Sequence, residues 1–232
     1  MASADTLLSR APGDYPVVLF DFDGTLADTI PLILRVAGEV LARHGFEVPH
    51  EKMLLMIGPP LEEGFQLLAG VPREEALAYA DEYRELFDSL LEPGAAHDIA
   101  PVLPGIPELL NALVSQGKRL AIATSRMEYT ALRMTELLGL TQFEAVIGRV
   151  FDLRYTKAES IQGALEALGV DAADAIMVGD RMHDVEGAAE HGMPCIGVYT
   201  GAAALGELEG AGAALVAHGT EELAELFGIA SA

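Results

Sequence analysis

Five short runs of apolar and β-branched residues recur along the chain, each followed by helix-like spacing of apolar residues. They are Val17-Val18-Leu19-Phe20, Leu120-Ala121-Ile122-Ala123, Ala145-Val146-Ile147, Ala175-Ile176-Met177-Val178 and Cys195-Ile196-Gly197-Val198. None alternates apolar with polar residues, so each run asks to be buried on both faces. Strands of that kind, separated by helices, predict a doubly wound α/β fold built on a parallel sheet. In such folds ligands bind beyond the carboxyl ends of the strands. With 51% hydrophobic residues in 232, the chain can build one large domain or a domain that carries a smaller one.

One connection is too long for that pattern. About a hundred residues separate the first run from the second, where a strand-helix-strand crossover needs ~30 in all. Most of the excess reads as helix. Pro31–His44 has proline in its first turn, Leu61–Ala69 follows Gly58-Pro59-Pro60, and Pro72–Leu91 carries apolar residues at helical spacing. The expected organisation is a disordered lead-in over 1–14, an α/β core from 15–28 and 96–232, and an inserted all-helical domain over 29–95. Glu92-Pro93-Gly94 and the stretch 101–107 form the return linker before core helices resume at Glu108–Gln116.

Thirty-six acidic against 14 basic residues give a formal charge of -22. That balance argues against binding nucleic acid, whose phosphates must be neutralised by Lys and Arg. A small phosphorylated ligand is a different case, because a few cations, backbone N–H groups and a metal can reverse the field inside one pocket. No run approaches the ~18 apolar residues of a membrane span. The N-terminal stretch lacks the basic region and apolar core of a signal peptide. The single Cys195 cannot form an internal disulfide, which fits a reducing compartment, and a cytoplasmic location is expected.

The strongest chemical signal is DFDGTLAD at 21–28, where the first strand ends. Asp21 and Asp23 would share a face if the strand continued, and Gly24 allows a sharp loop after them. Two carboxylates and a cation are one way to move a phosphoryl group through an aspartyl-phosphate. An Asp pair alone is more often a solvated turn. Here, however, an apolar strand precedes the pair and Gly24-Thr25 follows it.

In this motif the sequence resembles the haloacid dehalogenase superfamily, whose first motif is a hydrophobic strand followed by DxDGT. Three further motifs of that family follow in order: Thr124 in LAIATSR, Lys157 in YTKAES, and Asp180 with Asp184 in MVGDRMHD. The resemblance runs from Val17 to Tyr199 and implies a magnesium-dependent phosphatase acting on a small phosphorylated metabolite. It assigns Asp21 as nucleophile and Asp23 as general acid/base. It places Gly24, Thr124, the N–H of Ser125 and Lys157 around the phosphate, aided by a helix beginning near Arg126. Asp21, Asp180 and the backbone carbonyl of Asp23 would hold Mg2+, with Asp184 orienting water or Asp180 from behind. Lys157 has a physical argument of its own, because a positive charge that opens a helix opposes the macrodipole and gains nothing from that position.

The inserted helices resemble the cap of that family, and Ile57-Gly58-Pro59-Pro60-Leu61-Glu62 corresponds to a specificity loop that closes on substrate and excludes water. The loop sequence IGPPL resembles that of phosphoglycolate-phosphatase-like members. Expected substrates include 2-phosphoglycolate, sugar phosphates, nucleoside 5'-monophosphates and phosphates of specialised metabolism. Three alternatives remain open. A phosphomutase of the β-phosphoglucomutase type carries a cap-loop Arg where this chain has Leu61. A phosphonoacetaldehyde hydrolase needs a reactive cap lysine, for which only Lys52 is available. A catalytically silent binding domain would normally have lost a motif residue. His183 and His191 lack a ligand cluster, and Arg126, Arg154 and Arg181 are expected mainly as solvated surface.

Overall fold

A computed structural model describes residues 8–92 and 95–230. The chain divides into two compact units, one formed by 1–28 with 102–232 and the other by 29–101.

The first unit begins with a one-turn 3-10 helix at Pro12–Asp14, then β1 at Val17–Phe20, and resumes at α6 (Ile106–Ser115). There follow β2 (Arg119–Met127), α7 (Glu128–Leu137), β3 (Ala145–Arg149), α8 (Lys157–Leu168), β4 (Ala175–Gly179), α9 (Met182–Glu190), β5 (Cys195–Val198), α10 (Glu207–Ala211), β6 (Leu215–Ala217) and α11 (Thr220–Leu226). All neighbouring strands are parallel, in the order β3-β2-β1-β4-β5-β6. This is the doubly wound arrangement expected of unalternating apolar runs. Chain direction across the sheet reverses at β1, which pairs β2 on one side and β4 on the other, with Phe20 level with both Ile122 and Val178. The crevice at that switch point is where this topology gathers loops from different strands.

Burial follows the pleat. Val17 and Leu19 join Ala121, Met177 and Cys195 in a core completed by Ile161, Leu165 and Leu168 of α8 and by Val185 and Ala188 of α9. Val18, Phe20, Leu120, Ile122 and Val178 point the other way and are also buried, as are Leu109, Leu110 and Leu113 of α6.

The lead-in is ordered from residue 8 onward, against expectation; residues 1–7 lie outside the described residues. Pro12 is buried, Arg10 donates to the Ala173 carbonyl at 2.9 Å and lies 4.9 Å from the centre of the buried Tyr15 ring, and Lys118 donates to the Gly13 carbonyl. These contacts tie down a segment whose polarity alone reads as loose.

The second unit is all-helical among its described residues: α1 (Ile30–Arg43), α2 (His50–Met53), α3 (Leu61–Ala69), α4 (Arg73–Leu90) and α5 (Ala96–Ile99). An aromatic spine holds it together. His44 stacks on Tyr79 at 4.1 Å, Phe65 meets Tyr79 and Tyr83 edge-on, and Tyr83 stacks on Phe87 at 5.7 Å. The unit extends to Pro101, past the expected boundary at 95, because Ala96–Ile99 forms one more short helix with Ala96 and Ala100 buried. No helix among the described residues is long and apolar enough to cross a membrane.

Candidate active site

Asp21 follows β1 directly, and its N–H donates to the Val178 carbonyl at 2.9 Å, extending the ladder one step past Phe20. The chain then leaves the sheet. The N–H groups of Leu26 and Ala27 converge on the Phe22 carbonyl, and Gly24 takes φ +76°, a left-handed conformation that glycine adopts without strain. The strand therefore stops short of Asp23, and the two carboxylates are parted by a loop rather than aligned along one strand face.

Asp180 follows β4, the neighbour of β1, and is wholly buried. Its Oδ1 accepts from the Thr25 hydroxyl at 3.3 Å and its Oδ2 from the Ala202 N–H at 3.0 Å. Space for it is made by two glycines. A Cβ on Gly24 would stand 2.6 Å from Asp180 Oδ2, and one on Gly201 only 1.8 Å from it. The Thr200 hydroxyl donates to the Gly24 carbonyl at 2.6 Å, joining the two glycine-bearing loops.

Lys157 is the first residue of α8. Thr156 caps that helix by accepting from Glu159 N–H, while the Glu159 carboxylate accepts from the Thr156 N–H in return. The lysine side chain is buried. Its Nζ donates to Asp21 Oδ1 at 2.6 Å and to the Ala123 carbonyl at 3.1 Å, and pairs with Asp184 Oδ1 at 2.7 Å. Asp184 is buried in the first turn of α9, where its other oxygen accepts from the Arg181 N–H at 3.0 Å. It thus caps its own helix and faces Lys157 at once.

Asp21, Asp180 and Asp184 bring carboxylate oxygens within 4.8 Å of one another. Burial pushes the Asp21 carboxyl up to about 6, with Asp184 and Asp23 adding to the rise and Lys157 opposing it. Burial, then Asp184 and Asp21, also raises Asp180 well above the usual carboxylate range, against the Ala202 N–H. Desolvation disfavours the charge on Lys157, yet Asp184 and Asp21 outweigh it and hold the ammonium above its ordinary range. Three buried carboxylates facing one buried ammonium leave negative charge in excess. An all-oxygen donor set of that charge fits a hard divalent cation such as Mg2+.

Thr124 lies inside β2, which runs on to Met127, and the following helix starts at Glu128, close to Arg126 as expected. The Thr124 hydroxyl is buried and accepts from the Arg126 N–H at 3.2 Å; Ser125 is half-buried beside it. The three arginines expected as surface are all paired. Arg126 pairs with Asp23 at 2.5 Å, Arg181 with Glu207 at 2.7 Å, and Arg154 with Glu128. His191 contacts the Ala158 carbonyl at 2.9 Å, a packing role.

Sequence reasoning missed Thr25, Gly201 and Ala202 around Asp180. Thr25 was in plain view within the first motif. The other two lie in an Ala/Gly-rich stretch that carries no chemical signal until the fold delivers it to β4. Asp184 stands with Asp21 and Asp180 rather than behind them, whereas the Asp23 carboxylate is outside that group and bound to Arg126.

Comparison with known proteins gives the arrangement its context. Residues 18–198 match the haloacid dehalogenase-like hydrolase family. A 5'-nucleotidase of Pseudomonas aeruginosa is 38% identical over 192 residues, covering 81% of this chain and 84% of that one. The tyrosine-protein kinase PtkA of Mycobacterium tuberculosis is 33% identical, covering 95% of this chain and 76% of its own. The crystal structure of a predicted phosphatase from Clostridium acetobutylicum superposes with a TM-score of 0.82 at 32% identity, covering 91% of this chain and 97% of that one. With its motifs gathered at one sheet crevice and a family match spanning most of its length, the chain belongs to the haloacid dehalogenase-like hydrolases, as a phosphoric monoester hydrolase.

Proposed function

We propose that the protein hydrolyses a small phosphomonoester in two steps through a phosphoryl group carried on Asp21, with Mg2+ as cofactor. The observation that carries this reading is Asp21 itself. Its carboxylate is fixed by Lys157 at 2.6 Å and grouped with the buried carboxylates of Asp180 and Asp184. In the first step an Asp21 oxygen attacks phosphorus, the P–O bond to the alcohol breaks, and Asp23 gives its proton to the departing alkoxide. In the second, Asp23 takes a proton from water, the resulting hydroxide attacks the phosphorus of aspartyl-phosphate, and inorganic phosphate leaves with Asp21 restored. Thr124, the Ser125 N–H, Gly24 and Lys157 would hold the phosphoryl oxygens. Asp21, Asp180 and the Asp23 carbonyl would hold Mg2+, with Asp184 keeping Lys157 in place. When bound, the ion supplies positive charge against the repulsion between carboxylate and phosphate.

Substrates to be tried are nucleoside 5'-monophosphates, sugar phosphates, 2-phosphoglycolate and phosphates of specialised metabolism, the first because of the P. aeruginosa relative's name. The buried, unbridged Cys195 supports a cytoplasmic location, and the charge of -22 supports a small-molecule partner rather than nucleic acid. The test is phosphorus NMR of turnover mixtures with Mg2+ or chelator. Inorganic phosphate should accumulate stoichiometrically with Mg2+ only, and Asp21→Asn should abolish it while leaving the fold intact. An isomerised sugar phosphate, or phosphate moved to another hydroxyl, would show that water is not the acceptor.

A further inference from the structure

Both oxygens of Asp23 are engaged by one guanidinium: Arg126 Nε lies 3.2 and 3.1 Å from Oδ1 and Oδ2, and its terminal nitrogen donates to Oδ1 at 2.5 Å. The Arg126 side chain is only 8% exposed and that of Asp23 18%. The guanidinium carbon lies 6.0 Å from the centre of the buried Phe22 ring. The Arg126 N–H binds the Thr124 hydroxyl, so one residue is joined to two of the chemical motifs. Its place on the strand is also irregular, because the register between β2 and β3 shifts between Ala123 and Met127.

We propose that Arg126 is the positioning residue for Asp23, fixing the plane and reach of the carboxyl group that exchanges protons with the leaving oxygen and with water. This rests on the acid/base reading of Asp23. A planar fork holds both carboxylate oxygens in one orientation. Nε spans both oxygens and the terminal nitrogen adds a second contact on Oδ1, so the guanidinium sets the plane of the carboxyl group. A side chain held in place by an ionic partner while it relays a proton follows the logic of an oriented general base, in which the partner itself never transfers the proton.

The experiment compares kcat/KM for the preferred alkyl phosphate with that for p-nitrophenyl phosphate, whose leaving group needs no acid. Since kcat/KM reports events up to departure of the first product, it isolates the protonation step. Asp23→Asn should cost about 10²–10⁴-fold on the alkyl ester and far less on the nitrophenyl ester. Arg126→Met should show the same selectivity, about 10–10²-fold against less than threefold, and should add little to Asp23→Asn in the double variant, as expected of groups acting as a unit. Arg126→Lys keeps the charge without the fork. It should recover only part of the loss and serves as the folded control if the Met variant is unstable. Equal losses on both esters, or a rise in KM with unchanged leaving-group dependence, would overturn the inference while Asp23→Asn still discriminates. No discrimination by Asp23→Asn would overturn the acid/base reading and the inference together.

Discussion

Asp180 is a carboxylate with almost no freedom: wholly buried, bound on one oxygen by Thr25 and on the other by the Ala202 N–H, and pressed against two glycines. The approach of Gly201 is the tighter, since its Cβ would fall 1.8 Å from Asp180 Oδ2. Gly201→Ala must therefore push the carboxylate or the loop aside. Because a ligand displaced by about 1 Å loses its coordination geometry, we expect the Mg2+ concentration for half-maximal activity to rise about tenfold or more. A magnesium titration of the initial rate checks this, and an unchanged midpoint would mean that Asp180 does not hold the ion. Asp21, Asp180 and Lys157 are legible in the sequence as candidates because the first two follow strands β1 and β4 and the third opens α8, whereas Thr124, inside β2, and Asp23, in the loop beyond β1, are legible through the motifs that hold them. Gly201 is not. Its importance comes from a close approach across the fold, and the sequence around it is small residues with nothing to tell contact from slack. The expectation of a solvated Arg126 does not hold, since exposure is the default for arginine and the loop carrying Asp23 supplies a partner that holds it away from solvent.

At the scale of elements, α8 begins with a buried charge. It presents Lys157 at its N-terminus, where the macrodipole is unfavourable for a cation, and the buried pairs with Asp21 and Asp184 outweigh that cost. The reciprocal cap between Thr156 and Glu159 fixes the turn from which the lysine projects. Two variants separate the cap from the charge. Thr156→Ala should cost about 1 kcal/mol, the usual value of an N-cap. Lys157→Met should cost about 3–5 kcal/mol at neutral pH, because it leaves buried carboxylates without their cation. Urea denaturation of both variants checks the order, and a Lys157→Met protein as stable as the wild type would mean that the pairs are not formed in solution. The elements that sequence reasoning captured best were those with strong period or strong caps: Leu61–Ala69 matches its expected span, and β1, β4 and β5 match to within a residue. The tail was harder to read. In 201–217 the short α10 and β6 are built largely from Ala, Gly and Leu, residues too small or too neutral in preference to declare helix or strand, and the ladder to β5 decides the matter.

For the molecule as a whole, a charge of -22 sets two kinds of electrostatic stabilisation against each other. Dispersed surface carboxylates repel one another weakly and are screened by any salt. The buried group at Asp21, Asp180 and Asp184 would instead be neutralised by a cation that enters and binds there. The sign of the pH effect follows from the raised carboxyl of Asp21. Its value moves from 3.8 to about 6 on folding, so between those limits the native state holds more protons than the unfolded chain. Stability of the metal-free protein should thus be highest below about pH 4 as far as this group is concerned, fall as pH rises through 4 to 6, and then level off. Asp180, raised in the same direction, adds to the fall. If Mg2+ is the cofactor, as proposed, it would bind the ionised form, so its stabilisation should be small near pH 4.5 and large at pH 7.5. Thermal melts at both pH values, in chelator, in millimolar Mg2+, and in NaCl of matched ionic strength, separate the two effects. The Mg2+ increment in Tm should saturate with concentration, exceed that of NaCl at pH 7.5, and largely vanish in Asp180→Asn. The NaCl increment should persist in that variant, because it acts on the surface. If Asp180→Asn retained the full Mg2+ increment, the ion would be acting as general screening, and the buried carboxylates would not be its site.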